Sequence, residues 1–274
     1  MTPLNTVLPL RNPQMPRLAA NLTMLFNEVD FLDRFAAAAK AGFKGVEYLF
    51  PYDYDKNVLK QKLAEHNLTQ VLHNLPAGNW AAGERGIGCH PDRVGEFETG
   101  VDKAIDYATA LGCKQVNCLA GVRPSGLDPL EARETFVKNL QFAAARLKAA
   151  GIKLLIEAIN TRDIPGFFLC NTQQAVDIIT AVGSDNLFVQ YDIYHMQIME
   201  GDLAPTIEKN LKLIPHMQLA DTPGRHEPGT GEINYGYLLP HIDKLGYQGW
   251  IGCEYKPAGK TVDGLGWTKP YINN

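Results

Sequence analysis

The chain has 274 residues, of which 45% are hydrophobic and 20% are charged, and its formal net charge at pH 7 is -4. This composition is typical of a globular protein with one large or two small domains, and it excludes a disordered, collagen-like or coiled-coil chain. The negative charge also excludes the broad basic surface that phosphate-backbone binding usually needs, so we expect no nucleic-acid partner.

The first fifteen residues differ from the rest of the chain. They contain three prolines and one arginine, and their apolar stretch TVLPL is too short for the core of a signal peptide. We interpret residues 1–15 as a flexible extension, with Met15 as an alternative start. No apolar run approaches the roughly 20 residues that a membrane-spanning helix needs, so we expect no membrane partner.

The cysteines indicate a reducing compartment. There are five, an odd number, and none forms a C-x-x-C pair: Cys89, Cys113, Cys118, Cys170 and Cys253. This pattern favours free thiols in a cytoplasmic protein and argues against a zinc finger.

From Pro16 onward, short apolar runs alternate with longer stretches of helical periodicity. The predicted strands are 17–24, 45–50, 68–75, 114–121, 153–160, 187–195, 216–221 and 249–255. The predicted helices between them are 30–42, 55–67, 93–112, 128–151, 171–183, 203–215 and 235–246. Several of these stretches end in glycine, the usual left-handed residue that follows a helix.

Eight strands that alternate with helices over about 250 residues predict an α/β fold, a single (β/α)8 TIM barrel over residues 16–274. The tail KTVDGLGWTKPYINN is short and rich in glycine, so the closing eighth helix is expected to be irregular. The alternative is a doubly wound open sheet. Its dinucleotide-binding form carries G-x-G-x-x-G after a strand, and this chain has no such motif.

Four polar residues recur at predicted strand ends in the second half of the chain: Glu157, Asp192, Gln218 and Glu254. Their separations of 35, 26 and 36 residues are each about one βα unit, so all four are expected to project into one barrel mouth. Their oxygen atoms suit a hard divalent cation such as Mg²⁺ or Mn²⁺. Any one of them alone fits equally well as a solvated or ion-paired side chain, but four in register favour a metal site.

Two long loops supply residues predicted to bind substrate. The loop 73–93 is rich in glycine and favours a lid, in which Arg85 would pair with a substrate carboxylate or with Glu84 or Asp92. The loop 220–235 carries Arg225 and His226, which are placed to hold an anionic group.

Two further histidines lie near predicted strand ends. His73 lies at the end of the third predicted strand, where it would hydrogen-bond substrate. His195 follows Asp192 by three residues and would orient substrate, bind a metal or play a structural role.

Five motifs resemble those of the hydroxypyruvate isomerases, members of the xylose-isomerase-like barrel group. They are HNLPAGNWAAGERGI, QVNCLAG, QYDIYHMQIMEG, EPGTGEINY and GWIGCEYKP, and the resemblance covers about residues 17–267. It implies the interconversion of hydroxypyruvate and tartronate semialdehyde, a small 2-oxo or hydroxy acid substrate, and a place in glyoxylate catabolism. Glu157 and Glu254 match the two acid/base glutamates of the family, and Asp192 and Gln218 match positions that surround a divalent metal with them.

Three alternatives remain open. Related sugar epimerases have His where this chain has Gln218, which leaves open whether the metal is strictly required. A subfamily that acts on the longer acid 2-oxo-tetronate shares GEINY and GYQGWIGCEYKP, although the loop HNLPAGNWAAGERG is similar to the hydroxypyruvate branch. A non-catalytic sugar-acid binding protein would need no paired glutamates. A barrel endonuclease is not among the open alternatives, because it would need more His and Asp ligands for a zinc cluster and a basic groove, and neither appears. Barrels of this fold often self-associate, so a homo-oligomer is an expectation by analogy.

Overall fold

A computed structural model describes residues 16–272, so the predicted extension 1–15 lies outside the described residues. Eight parallel strands close into a barrel in chain order, with the last strand hydrogen-bonded to the first. The predicted TIM barrel is confirmed. The strands are β1 Arg17–Asn21, β2 Gly45–Glu47, β3 Thr69–Asn74, β4 Gln115–Cys118, β5 Lys153–Glu157, β6 Leu187–Asp192, β7 His216–Leu219 and β8 Trp250–Cys253.

The helices form the outer layer of the barrel. They are α1 Arg34–Lys40, α2 Lys56–Glu65, α3 Val94–Leu111, α4 Pro129–Ala149, α5 Thr172–Val182, α6 Ile193–Met199, α7 Leu203–Asn210, α8 Tyr235–Lys244 and α9 Lys269–Ile272. Local sequence sets several of their ends. The Asp55 and Asn171 side chains accept hydrogen bonds from the first-turn amides of α2 and α5, and Gly183 ends α5 at φ 68°.

The sequence prediction differs from the structure at β6. The predicted strand 187–195 ends at Asp192, and residues 193–195 begin α6 instead. The physical reason is a helix cap, because the Asp192 carboxylate accepts hydrogen bonds from the amides of Tyr194 and His195. The irregular closing segment is confirmed, since a 3-10 helix at Thr261–Thr268 and the short α9 follow β8.

The barrel interior changes character along its axis. Near the amino ends of the strands it holds an apolar cluster that includes Ala19, Val71 and Leu155. Toward the carboxyl ends, polar residues replace apolar ones, and they are buried: Asn21, Glu47, Asn74, Asn117, Glu157, Gln190, Asp192 and Gln218. Active sites of TIM barrels lie at the carboxyl ends of the strands, so this polar region is the place to look for chemistry.

The structure bears on two expectations from the sequence, the lack of a membrane-spanning helix and the free thiols. Among the helices within residues 16–272, none combines the length and the apolar character that crossing a bilayer requires. All five cysteines are free thiols, and four of them are buried. The cytoplasmic location stays a prediction.

Candidate active site

Three carboxylates meet at the mouth of the barrel, where the sequence predicts them. Glu157 and Asp192 are the last residues of β5 and β6, and Glu254 directly follows β8. The Glu254 amide donates to the Leu219 carbonyl at 3.0 Å, which continues the β7–β8 pairing by one residue. All three residues are at most 5% exposed.

The two carboxylate oxygens of Asp192 have different surroundings. Its Oδ1 caps α6, at 2.8 Å from the Tyr194 amide and 3.4 Å from the His195 amide. Its Oδ2 is buried and has no hydrogen-bond partner within the described residues. The first turn of α6 returns His195 to the mouth, where its Nε2 lies 3.5 Å from Asp192 Oδ2 and 3.9 Å from Glu157 Oε1.

Arg225 connects the other side of the mouth. Its guanidinium lies 3.3 Å from Glu254 Oε1 and 3.6 Å from Asp192 Oδ2, and it packs over the Tyr194 ring at 5.0 Å from the centroid. The backbone of Arg225 is held because its carbonyl accepts from the Lys256 amide at 2.7 Å. Glu157, His195, Asp192, Arg225 and Glu254 thus form one contiguous group, called here the carboxylate arc.

Burial sets the proton affinities of the carboxylate arc. It raises the pKa of Glu254 to about 8, with Arg225 opposing the shift and Asp192 adding to it. It raises the pKa of Asp192 to about 6, against the attraction of Arg225. Burial and then repulsion by Glu254 hold the pKa of Glu157 well above its usual range. Burial and the Arg225 charge hold the pKa of His195 well below its usual range, so the imidazole is neutral at pH 7.

Gln218 has a different setting from the three carboxylates. Its Oε1 accepts from Gln190 Nε2 at 2.6 Å, and its Nε2 donates to Glu47 Oε1 at 2.7 Å. Glu47 Oε1 also accepts from Asn21 Nδ2 at 3.0 Å, and His216 Nε2 lies 2.7 Å from Glu47 Oε2 without the geometry of a hydrogen bond. Protein groups therefore engage both ends of the Gln218 amide, and its oxygen keeps one lone pair for a ligand.

Arg85 lies in the loop after β3, apart from the carboxylate arc. Its guanidinium stacks over the Trp80 ring at 4.2 Å and donates to the carbonyls of Trp80 and Glu84. The Glu84 carboxylate pairs with Arg93 at 2.6 Å, not with Arg85. Within residues 16–272, no acidic side chain forms an ion pair with Arg85, so its charge is left for another partner.

His73 and His226 do not join the arc. His73 is fully buried, and its Nδ1 lies 3.1 Å from the Asn74 carbonyl and 3.4 Å from the Tyr52 hydroxyl. Because side chains alternate along a strand, and the Asn74 side chain contacts the inward-facing Asn117, His73 faces the helical layer. His226 Nδ1 lies 2.7 Å from the Lys256 carbonyl and links the loops after β7 and β8. Their roles in substrate binding stay predictions.

Comparison with known proteins shows the family to which this chain belongs. A family model described as xylose isomerase-like TIM barrel matches residues 35–271. The chain belongs to this family. Hydroxypyruvate isomerase from Escherichia coli strain K12 is 56% identical over 94% of this chain and its own full length, which confirms the resemblance seen in the motifs. This member of the xylose isomerase-like family is an isomerase.

Other family members carry different names. A 2-oxo-tetronate isomerase from Cupriavidus necator is 48% identical over 94% of this chain and 99% of its own. A crystal structure titled AP endonuclease, family 2, from Brucella melitensis has a TM-score of 0.92 at 50% identity, covering 94% of this chain and all of that one. The xylose isomerase-like fold is therefore shared by proteins named for different chemistries.

Sequence reasoning missed the residues that support the arc. Asn117 Nδ2 donates to Glu157 Oε2 at 2.9 Å, and Asn160 contacts His195 Nδ1 at 2.6 Å. Asp163 accepts from both Asn160 and Tyr194. A signal was present for the two asparagines, because Asn117 lies in the QVNCLAG motif and Asn160 follows Glu157 in LLIEAIN. Tyr194 likewise lies in the QYDIYHMQIMEG motif, whereas Asp163 carries no comparable signal.

The residues of the arc fit a divalent cation. The three carboxylates offer hard oxygen ligands, and Asp192 Oδ2 is buried without a hydrogen-bond partner among the described residues. Glu157, Asp192 and His195 each present one ligand atom within 4.8 Å of the others. Arg225 is the cation that faces this group in the described part of the chain, and among the three carboxylates it forms ion pairs with Glu254 and Asp192.

Proposed function

We propose that the protein interconverts hydroxypyruvate and tartronate semialdehyde. The carboxylate arc is the observation that carries the proposal, because it presents two buried glutamates on either side of Asp192. The E. coli relative named for this reaction, at 56% identity, supports the same substrate class, a small 2-oxo acid.

The reaction is a proton transfer between adjacent carbons. A base removes a proton from C3, the hydroxymethyl carbon of hydroxypyruvate, and the electron pair forms the C2–C3 double bond of an enediolate. A proton returns to C2, and the hydroxyl proton on O3 leaves as the aldehyde forms while O2 gains one. Substrate and product contain the same atoms. The site must therefore supply a base, an acid and stabilisation of a transient negative charge.

Glu157 and Glu254 supply the base and the acid in this proposal. Burial raises the pKa of both carboxyl groups, which brings their proton affinity toward the range that suits general acid/base catalysis at neutral pH. One serves C3 and the other serves C2. The cationic Arg225 and the neutral His195 together hold the substrate oxygens.

Arg85 is the residue we assign to the substrate carboxylate. Arg225 is engaged by Glu254 and Asp192, whereas Arg85 has no acidic partner in the described chain. Stacking on Trp80 holds the guanidinium plane, which leaves its edge for a bidentate contact.

The metal ligands in this proposal are Glu157, Asp192, Gln218 and Glu254, with Mg²⁺ or Mn²⁺ as the ion. When bound, such an ion stabilises negative charge on the enediolate oxygens. The remaining lone pair of Gln218 Oε1 is the weakest of these ligands, since Gln190 already donates to that oxygen.

A longer substrate is the second candidate, because the 2-oxo-tetronate isomerase of C. necator is 48% identical. The two substrates differ in length, and we assign control of the space available for substrate to the loop that carries Trp80 and Arg85. The loop motif HNLPAGNWAAGERG favours the shorter acid.

A coupled assay tests the proposal. Purified, chelator-treated protein is given hydroxypyruvate or 2-oxo-tetronate, with and without Mg²⁺ or Mn²⁺. Tartronate semialdehyde formed from hydroxypyruvate is followed through a reductase, and loss of 2-oxo-tetronate is followed by ¹H NMR. Turnover of hydroxypyruvate supports the proposal. Turnover only of 2-oxo-tetronate, or a ligand-induced rise in melting temperature without turnover of either acid, overturns it in favour of the longer substrate or of a binding protein.

A further inference from the structure

Asn160 has an orientation that the structure determines without ambiguity. Its Oδ1 accepts from the backbone amide of Asp163 at 2.7 Å, and a backbone N–H is always a donor. Its Nδ2 lies 3.1 Å from the Asp163 carboxylate, which accepts when ionised. Both ends of the amide are thus assigned by one residue, and the reversed amide would place a donor against a donor and an acceptor against an acceptor.

The same Nδ2 lies 2.6 Å from Nδ1 of His195. Because the Asn160 amide nitrogen is a donor, His195 Nδ1 must be the acceptor and carries no proton. An imidazole whose Nδ1 accepts a hydrogen bond is neutral and carries its single N–H proton on Nε2.

That proton points into the carboxylate arc. His195 Nε2 lies 3.5 Å from Asp192 Oδ2 and 3.9 Å from Glu157 Oε1, both longer than an ordinary hydrogen bond. The N–H is therefore available to an oxygen placed between these carboxylates. A metal ion needs an imidazole lone pair, which this Nε2 does not have.

We propose that Asn160 and Asp163 are positioning residues that lock His195 in the Nε2–H tautomer, so that His195 donates a hydrogen bond to a substrate oxygen and is not a metal ligand. The inference deepens the proposed isomerase function and rests on it only for the identity of that oxygen. It separates His195 from Glu157 and Asp192, with which it would otherwise form a three-residue metal site.

Asp163 acts on a second member of the arc. Its Oδ2 also accepts from the Tyr194 hydroxyl at 2.9 Å, and the Tyr194 ring supports the Arg225 guanidinium. One carboxylate on the loop after β5 therefore orients the hydrogen-bond donor on one side of Asp192 and the cation on the other.

Nitrogen NMR of ¹⁵N-histidine-labelled protein tests the proposal directly. The chain has seven histidines, and the His195→Gln variant identifies which signals belong to His195. Wild-type protein is expected to show an unprotonated Nδ1 and a protonated Nε2 for His195, before and after addition of Mg²⁺. A proton on Nδ1 with a bare Nε2, in either sample, overturns the proposal. This readout needs no turnover, so it stands or falls separately from the assay with hydroxypyruvate.

Asn160→Asp tests the lock itself. The substitution replaces the donor that faces Nδ1 with an acceptor of the same size, so the proton is expected to move from Nε2 to Nδ1 and kcat to fall by about 10²-fold, the usual cost of one preorganised donor. Asn186→Asp is the matched control. The Asn186 amide also donates to two acceptors, the carbonyls of Ala144 and Ile152, but it lies at the opposite end of the barrel.

The Asn186→Asp control is expected to have the same His195 tautomer and the same kcat as wild type, even if its melting temperature falls. If Asn160→Asp leaves Nδ1 unprotonated, or if it lowers kcat no more than Asn186→Asp does, Asn160 is not the positioning residue.

Discussion

Two buried groups share the interior of this barrel, the contacts around Glu47 and the carboxylate arc, and they differ in how closely nitrogen atoms approach the carboxylate oxygens. Both oxygens of Glu47 have a nitrogen within 3.0 Å, from Asn21 and Gln218 on Oε1 and from His216 on Oε2. In the carboxylate arc, the nearest nitrogens to Asp192 Oδ2 lie 3.5 and 3.6 Å away.

The contacts of the carboxylate oxygens distinguish structural from functional acids when both are buried. A buried carboxylate with short contacts on both oxygens stabilises its surroundings, because removing it leaves several donors without partners. Carboxylates that repel one another and keep an oxygen free store unfavourable free energy, which a substrate or a cation relieves on binding. Exposure alone does not separate the two, since Glu47, Glu157 and Glu254 are all at most 5% exposed.

The largest expected effect is on turnover when a glutamate of the arc is neutralised. Glu157→Gln and Glu254→Gln should each lower kcat by about 10²- to 10⁴-fold, because each removes a proton-transfer group. Neither should lower the melting temperature by much, since burial already favours the neutral form of both carboxyl groups and the amide has the same size. Steady-state kinetics and thermal unfolding measure the two effects, and near-normal turnover in either variant would contradict the assignment.

The opposite result is expected for Glu47→Gln. An amide nitrogen in place of Oε1 would face two donors, Asn21 and Gln218, and one in place of Oε2 would face His216 Nε2, so the free energy of unfolding should fall by about 1–3 kcal/mol. Denaturant unfolding measures this. Glu134→Gln, an exposed change on α4, is the control and should stay within about 0.5 kcal/mol of wild type. A Glu47→Gln protein as stable as this control would remove the distinction between the two groups.

His73 provides a smaller, pH-dependent effect outside both groups. Burial lowers its pKa from the ordinary value of 6.5 to about 4, so the unfolded chain binds a proton more readily than the folded one. Its contribution to stability is therefore fully present above pH 6.5 and is lost as the pH falls toward 4, by at most about 3 kcal/mol.

Comparison with His73→Gln isolates this contribution from that of other titrating groups. Unfolding free energies at several pH values between 4 and 7 should fall more steeply with acid in wild type than in the variant. Equal slopes would show that His73 is already protonated or solvated in the folded protein.

Much of this organisation was predictable from local sequence. Eight apolar runs at regular spacing predicted the barrel, and the spacing of Glu157, Asp192 and Glu254 predicted that they meet, because the fold brings all strand ends to one mouth. The position of His195 depends on one local detail, the Asp192 cap that starts a helix where a continued strand was expected.

The rest depended on contacts between distant parts of the chain. The Gln218 amide is engaged by Glu47, 171 residues away in sequence, and nothing near Gln218 indicates that partner. Strand alternation turns His73 away from the mouth, and the register that decides this follows a bulge in β3, between the partners of Val46 and Glu47. Such features follow from register across the closed barrel and not from residue type.

Proton exchange tests the central claim most directly. Hydroxypyruvate is incubated in D₂O with wild-type protein, Glu157→Gln or Glu254→Gln, and the C3 protons are followed by ¹H NMR. If the two glutamates move a proton between C3 and C2, wild-type protein should replace C3 protons by deuterium and form tartronate semialdehyde, and neither variant should form product. Folded wild-type protein that neither exchanges the C3 protons nor forms product would contradict the account.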